Sequence, residues 1–215
     1  MKLLVLACIS SILVLAPPPA AAQAYTYDAA GRLTSVDYGG GVVTTYTYDP
    51  SGNITQIETT AGGGPTIYCT AKVNSAGCAP SIGFAGSPSA SAGSGFSISA
   101  TNVLDNKFGL LFYSLNGAQA APFQGGILCA KPPHVRTDIQ SSGSGTSPGC
   151  PATSGSTGSF DFDFNAYIAS GKDPSLTPAN AAGKTVNAQF WSRDPGFAPP
   201  NNTNLTDALE FTVGP

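Results

Sequence analysis

The chain has 215 residues, a formal net charge of −3 and only 10% charged side chains. Gly, Pro, Ser, Thr, Ala and Asn dominate, a composition that disfavours long helices and suits turn-rich β structure. No stretch clusters Lys or Arg, so the electrostatic footprint of a nucleic-acid or anionic-membrane binder is missing.

Residues 1–24 read as a signal peptide. Lys2 supplies the positive start, Leu3 to Ala16 is apolar, Pro17-Pro18-Pro19 ends the run, and Ala22-Gln23-Ala24 is a small-x-small cleavage site. The run is shorter than the roughly 20 residues that span a hydrocarbon core of about 30 Å, so no membrane span is expected. Cys8 sits too early to follow a complete apolar region, which argues against lipidation. Cleavage near Ala24 would leave a secreted or cell-surface protein with Cys69, Cys78, Cys129 and Cys150. An even cysteine count in an exported chain reads as two disulfides. Of the three pairings, Cys69–Cys78 and Cys129–Cys150 are expected, because each brackets a loop rich in Gly, Ser or Pro that closes locally. There is no Cys-x-x-Cys and one histidine, so a zinc site is not expected.

Residues 25–58 hold an internal repeat. Tyr25-Thr26-Tyr27-Asp28-Ala29-Ala30-Gly31-Arg32-Leu33-Thr34 returns as Tyr46-Thr47-Tyr48-Asp49-Pro50-Ser51-Gly52-Asn53-Ile54-Thr55. Each copy reads as a β-hairpin, with Gly39-Gly40-Gly41 as the turn between them. The two tyrosines of each copy share a strand face by the period of two. Residues 59–67, with Gly62-Gly63-Gly64-Pro65, read as a linker.

Residues 68–215 carry about seven or eight short alternating runs. Phe96-Ser97-Ile98-Ser99-Ala100 puts apolar groups on one face. Phe160, Phe162, Phe164, Ala166 and Ile168 share a face opposite Asp161, Asp163, Asn165 and Tyr167. Val186, Ala188 and Phe190 oppose Asn187, Gln189, Trp191 and Arg193, and Leu209, Phe211 and Val213 oppose Glu210. Leu110 to Tyr113 and Ile127 to Cys129 are continuous enough to lie centrally. These runs predict an all-β fold: an antiparallel, jelly-roll-like β-sandwich preceded by short repeat hairpins. Residues 140–159 read as a long exposed loop, and helix is limited to a turn near Ala166 to Ser170 or Thr177 to Gly183.

The Tyr-x-Tyr-Asp repeat resembles the YD repeat of RHS proteins. That resemblance implies a surface or secreted setting, and in the family many units build a hollow β shell that sometimes encloses a C-terminal toxin. Two units are too few for a shell, since stacked repeats need several neighbours. The remainder looks like a domain that ends uncharacterised secreted bacterial proteins, through Tyr68-Cys69-Thr70-Ala71-Lys72, Pro122-Phe123-Gln124-Gly125-Gly126, Trp191-Ser192-Arg193-Asp194-Pro195-Gly196 and Asp207-Ala208-Leu209-Glu210-Phe211.

Candidate chemistry is sparse. Gly145-Thr146-Ser147-Pro148-Gly149 has the G-x-S-x-G form but lacks the strand-turn-helix flanks a nucleophile elbow needs. His134 would have to serve any Ser-His-Asp set, and no serine stands out beside it. It reads instead as a surface or turn histidine. Asp161-x-Asp163-x-Asn165 imitates an EF-hand opening, yet Ala166 and Lys172 stand where Gly and an acid are required. A calcium site built from Asp161, Asp163, Asp194 or Asp207 is the alternative, and no other cofactor is expected. Asn53, Asn201 and Asn204 fit the glycosylation pattern and read as loop residues. Trp191 with Gln189 and Arg193, and Tyr167 with Asp161 and Asp163, present aromatic faces beside amide, guanidinium and carboxylate groups, as a sugar platform would. The bland alternative buries Trp191 in a second apolar layer. The sequence thus predicts a non-enzymatic extracellular interaction module, binding a glycan or a surface protein. The alternatives are an RHS-type effector or toxin fragment and a purely structural terminal module.

Overall fold

A computed structural model describes residues 24–37, 42–61, 64–144 and 157–215. Strands β1 (Ala24–Tyr27), β2 (Leu33–Asp37), β3 (Val42–Tyr48) and β4 (Ile54–Ala61) pair antiparallel in chain order. The repeat has a local physical cause. Asp28 Oδ1 accepts hydrogen bonds from the backbone N–H of Ala30 and Arg32, both at 2.9 Å. Asp49 Oδ1 accepts from the N–H of Asn53 at 2.8 Å. Three residues past each aspartate, Gly31 and Gly52 take φ of 76° and 91°, which favours a residue without Cβ. Each hairpin turn is therefore an aspartate-pinned loop with a left-handed glycine. The backbone N–H of Arg32 and then its side chain hold the Asp28 carboxyl below its ordinary pKa, and the Asn53 amide does the same first for Asp49. The two copies are also joined: Tyr48 Oη donates to Leu33 O at 2.8 Å, and the Arg32 guanidinium lies 4.6 Å above the Tyr48 ring. The expected turn at Gly39-Gly40-Gly41 lies outside the described residues, as do residues 1–23 and with them most of the expected signal peptide.

Eleven strands and a short helix follow among the described residues. They are β5 (Thr66–Tyr68), β6 (Ser81–Ala85), β7 (Ser97–Leu104), β8 (Phe108–Ser114), β9 (Ala118–Phe123), β10 (Gly126–Ala130), β11 (Val135–Arg136), β12 (Gln140–Ser141), β13 (Thr157–Asp163), α1 (Phe164–Ser170), β14 (Thr185–Arg193) and β15 (Thr203–Thr212). The stretch expected as linker is strand at both ends, in β4 and β5. A large antiparallel sheet runs β11-β8-β14-β15-β5, with β12 also on β8, and a smaller one runs β13-β7-β6. The alternating runs face each other across the gap. Phe96, Ile98, Ala100 and Phe160 from one side meet Leu111, Val186, Ala188, Phe190, Leu209 and Phe211 from the other, all essentially inaccessible. Each of the larger side chains among them contributes on the order of 1.5–3 kcal/mol by leaving water. The Phe160 and Phe190 rings stack 5.7 Å apart, and Gly109 makes this contact fit: a Cβ there would fall 2.5 Å from Phe160 Cζ.

The fold is the expected antiparallel sandwich, with a third layer. The hairpin β9–β10 covers the outer face of the large sheet, where Phe112, Ala130 and Leu205 form a second buried cluster. Residues Ile127 to Cys129 thus belong to this covering hairpin rather than to a central strand. Two further expectations are corrected. The run from Phe160 to Ile168 does not continue as strand. At Asp163 it turns into α1, which contains the helical turn expected near Ala166 to Ser170, because the Asp163 carboxylate accepts the Ala166 N–H as N-cap and Gly171 closes the helix at φ 65°. The disulfide is Cys69–Cys129, across 60 residues, not the two local pairs. Pairing of β5 with β15 and seating of β10 over β14 bring these cysteines together, so tertiary placement outweighs the ease of closing a short loop. Cys78 is also disulfide-bonded, and Cys150 lies outside the described residues. The expected loop 140–159 is strand at its two ends, with Ser142 buried, and residues 145–156 are outside the described set.

Candidate functional site

The outer face of β14 carries Asn187, Gln189, Trp191 and Arg193, as the alternation predicts. Their fates differ because the β9–β10 hairpin covers only part of that face. Gln189 is fully buried, and its side chain fastens the hairpin. Its Oε1 accepts from the Cys129 N–H at 3.1 Å, while Nε2 donates to Ile127 O at 3.0 Å and Thr206 O at 2.7 Å. Asn187 is buried as well. It donates to Glu210 Oε2 at 2.8 Å and to Tyr68 Oη at 3.0 Å, and Tyr68 in turn donates to Cys129 O at 2.9 Å. Burial, ahead of the other influences, pushes the Tyr68 hydroxyl pKa up, so it stays a donor to that carbonyl. Gln189 therefore does not belong to an exposed platform.

Trp191 lies past a bulge in the β14–β15 ladder, where the hairpin cover ends, and it is half-buried. It walls a cavity of about 230 Å³ together with Leu110 and Phe112 of β8 and Phe123 and Leu128 of the hairpin. Three polar side chains complete the lining: Gln124, His134 and Arg136. The Arg193 guanidinium sits 5.5 Å from the centre of the Trp191 ring, within cation–π range. His134 Nε2 lies 2.8 Å from Ala130 O, which can only accept, so this nitrogen carries the proton. The His134 ring meets Phe112 edge-on at 5.3 Å. Gln124 Oε1 accepts from Thr203 Oγ1 at 2.6 Å.

Tyr167, Asp161 and Asp163 are not brought to this cavity. Tyr167 stands on α1 against the inter-sheet core, 6.0 Å from the Tyr113 ring and 5.5 Å from Phe162. The Asp161 carboxylate accepts from Ser97 Oγ, and Asp163 caps α1 and accepts the Gly95 N–H at 2.9 Å. The sequence placed Tyr167 in phase with Trp191 on separate runs, but Trp191 faces the outer side of the large sheet while Tyr167 packs on its inner side. Phe123, Leu128, His134 and Arg136 were not in the expected site. They come from neighbouring segments that only the tertiary fold gathers, and the Pro-His turn was the one local hint.

The carboxylates considered for calcium each bond separate donors. Asp194 accepts from Ser75 N–H at 2.9 Å and Ser75 Oγ at 2.6 Å, and Asp207 accepts from Ile82 N–H at 2.6 Å. Burial raises the Asp207 carboxyl pKa. Asn165, third in the EF-hand-like run, is buried and ties down the backbone at Ser87, Ser89 and Ser94. Among the described residues no group of three or more acidic, histidine or cysteine side chains gathers as a metal site. Asn204 is not a loop residue but a buried position in β15. The G-x-S-x-G segment at 145–149 lies outside the described residues.

A second, more open cavity of about 480 Å³ lies on the other side of the hairpin turn, bordered by Thr70, Lys72, Gly125, Phe197 and Asn201. Lys72 is 9% exposed, and its ammonium donates to Gln124 O at 2.8 Å, Asn201 O at 2.6 Å and Thr203 O at 2.8 Å. All three of its protons are used, so Lys72 is a brace for the turn that carries Phe123 and Gln124. Burial lowers its pKa, with the nearby Asp194 charge opposing.

No helix among the described residues is long and apolar enough to cross a membrane. No curated protein and no solved structure matches the chain. Residues 27–65 match the family model described as RHS Repeat, so the four-stranded N-terminal sheet carries an RHS repeat.

Proposed function

We propose that this is a secreted or cell-surface RHS-repeat protein whose sandwich domain acts as a non-enzymatic interaction module and binds carbohydrate through the Trp191 cavity. The observation that carries this reading is the cavity itself. An aromatic and aliphatic wall with a few placed polar groups is the usual make-up of a small-ligand site. At about 230 Å³ it falls below the range of drug-sized pockets, which suits one sugar ring at a time. The C–H face of a sugar stacks on an indole, and its substituents take the hydrogen bonds. The engaged state of the acids agrees with a binding role: Asp163 caps α1, Asp194 holds the loop at Ser75, and Asp207 holds β6 at Ile82. The apparatus for secretion suggested by residues 1–24 and the RHS repeat both favour an extracellular site of action.

A glycan array read with the full chain and with Trp191→Ala tests this. Binding to a defined glycan set that the variant loses supports the reading. No glycan bound by either protein overturns it in favour of a structural terminal module. Growth arrest on expression without residues 1–24 would overturn it in favour of an effector.

A further inference from the structure

We infer that the Trp191 cavity is selective for a ring that bears a carboxylate, and that in this protein the ligand is a uronic-acid residue of an acidic glycan. The inference rests on the carbohydrate reading and goes beyond it to the charge of the sugar. The hydrogen-bonding inventory of the cavity carries it. A neutral sugar offers only hydroxyls, whereas a uronate adds to the same ring a carboxylate, which only accepts and which a guanidinium binds more strongly. This cavity has no Asp or Glu in its lining. Its one amide oxygen, Gln124 Oε1, already accepts from Thr203 Oγ1 and keeps a single lone pair, while the Gln124 NH₂ adds donors. His134 has one ring nitrogen committed to Ala130 O.

Arg136 supplies the opposite chemistry. It is exposed on β11, and among the described residues no carboxylate pairs with it: the two ion pairs there join Arg32 with Asp28 and Lys172 with Asp138. A second guanidinium, Arg193, lies over the Trp191 ring, and neither of the two ion pairs among the described residues includes it. Two unpaired arginines beside one cavity are notable in a chain with nine basic residues and a net charge of −3. The planar guanidinium fork matches a carboxylate bidentately, in shorter and stronger bonds than neutral groups make. A ligand with an apolar ring face for Trp191, an acceptor-only group for Arg136 and a hydroxyl that donates to the second ring nitrogen of His134 uses the groups the cavity offers. The same chemistry is met by a hexuronate residue or by a free aromatic acid. The extracellular setting of the carbohydrate reading and the hydroxyl that the second His134 ring nitrogen can take favour the hexuronate.

Calorimetric titration of the full chain with tri-galacturonate, galactotriose and phenylacetate tests the inference, with Arg136→Gln as the variant. Arg136 is exposed, so the variant is expected to melt with the wild type, and this is checked first. The expected result is tri-galacturonate bound at least tenfold more tightly than galactotriose, a gap of about 1.4 kcal/mol that Arg136→Gln closes. Equal affinity for the acidic and neutral trisaccharides overturns the inference and leaves the carbohydrate reading standing. Binding of phenylacetate alone overturns the glycan source, and binding of none of the three overturns the carbohydrate reading as well.

Discussion

Replacing Lys72 by methionine tests how the site is held. The ammonium makes three bonds to backbone carbonyls and lies 4.6 Å from the Phe197 ring centre. Bonds from a charged donor are worth about 1.5–3 kcal/mol each, so the gross loss is roughly 5–9 kcal/mol. Against this stands the cost of burying the ammonium, several kcal/mol, which methionine removes while it keeps the stem packed. The three carbonyls, left partly short of donors, move the balance toward loss, and we expect Lys72→Met to destabilise by about 3 kcal/mol. For a domain of this size that is a fall in Tm of roughly 6 to 12 °C. Urea unfolding followed by the fluorescence of Trp191, the sole tryptophan, measures it directly. Because Gln124 O is one of the three acceptors, the variant should also loosen the turn that forms the cavity rim. A variant within about 0.5 kcal/mol of wild type would refute the reasoning, and would mean that burial of the charge cancels all three bonds.

Two further outcomes are expected. The Asp207 carboxyl has its folded pKa raised above 3.8 by burial, so its contribution to stability is fully present below that value and is lost as pH rises through the folded pKa. Asp207→Asn keeps an oxygen for the Ile82 N–H, and its stability measured from pH 3 to pH 7 should therefore gain on wild type with rising pH; parallel curves would contradict this. The Cys69–Cys129 crosslink closes a loop of 60 residues, for which the chain-entropy model gives about 4 kcal/mol, so Cys69→Ser with Cys129→Ser should unfold at markedly lower urea. Non-reducing peptide mapping should recover the two cysteines in one fragment pair, and a Cys69–Cys78 pair there would disprove the connectivity.

Alternation made much of the sandwich legible. Phe96, Ile98 and Ala100, or Val186, Ala188 and Phe190, sit on one side of a strand, and period two shows it without any knowledge of partners. The break at Asp163 escaped the same test for a physical reason. Phe164 and Ile168 lie four residues apart, a spacing that serves a helix face and an alternating strand equally, and only Asp163 as cap and Gly171 as terminator tell them apart. The disulfide was illegible because local closure entropy is a property of the sequence, whereas the meeting of β5 and β10 is a property of the sheet order. The site divides in the same way. Trp191 and Arg193 were readable as neighbours on one face, but Gln189 was not readable as buried, since nothing local announces the β9–β10 hairpin above it. His134 and Arg136 become part of the cavity only when β11 joins β8.

The sheet order also fixes when each part of the molecule can form. β1 to β4 pair only with strands next to them in sequence, so the RHS-repeat sheet can zip up as soon as it emerges, on the microsecond scale of hairpins. β5 has to wait for β15, and Ser89 has to wait for its bridge to Gly214. A chain delivered from its N-terminus, through a ribosome or an export channel, thus presents the edge that β15 will cover long before β15 exists. Pairing across such separations places the sandwich among millisecond-to-second folders. The two parts of this protein run on different clocks, and the ligand cavity belongs to the slow one.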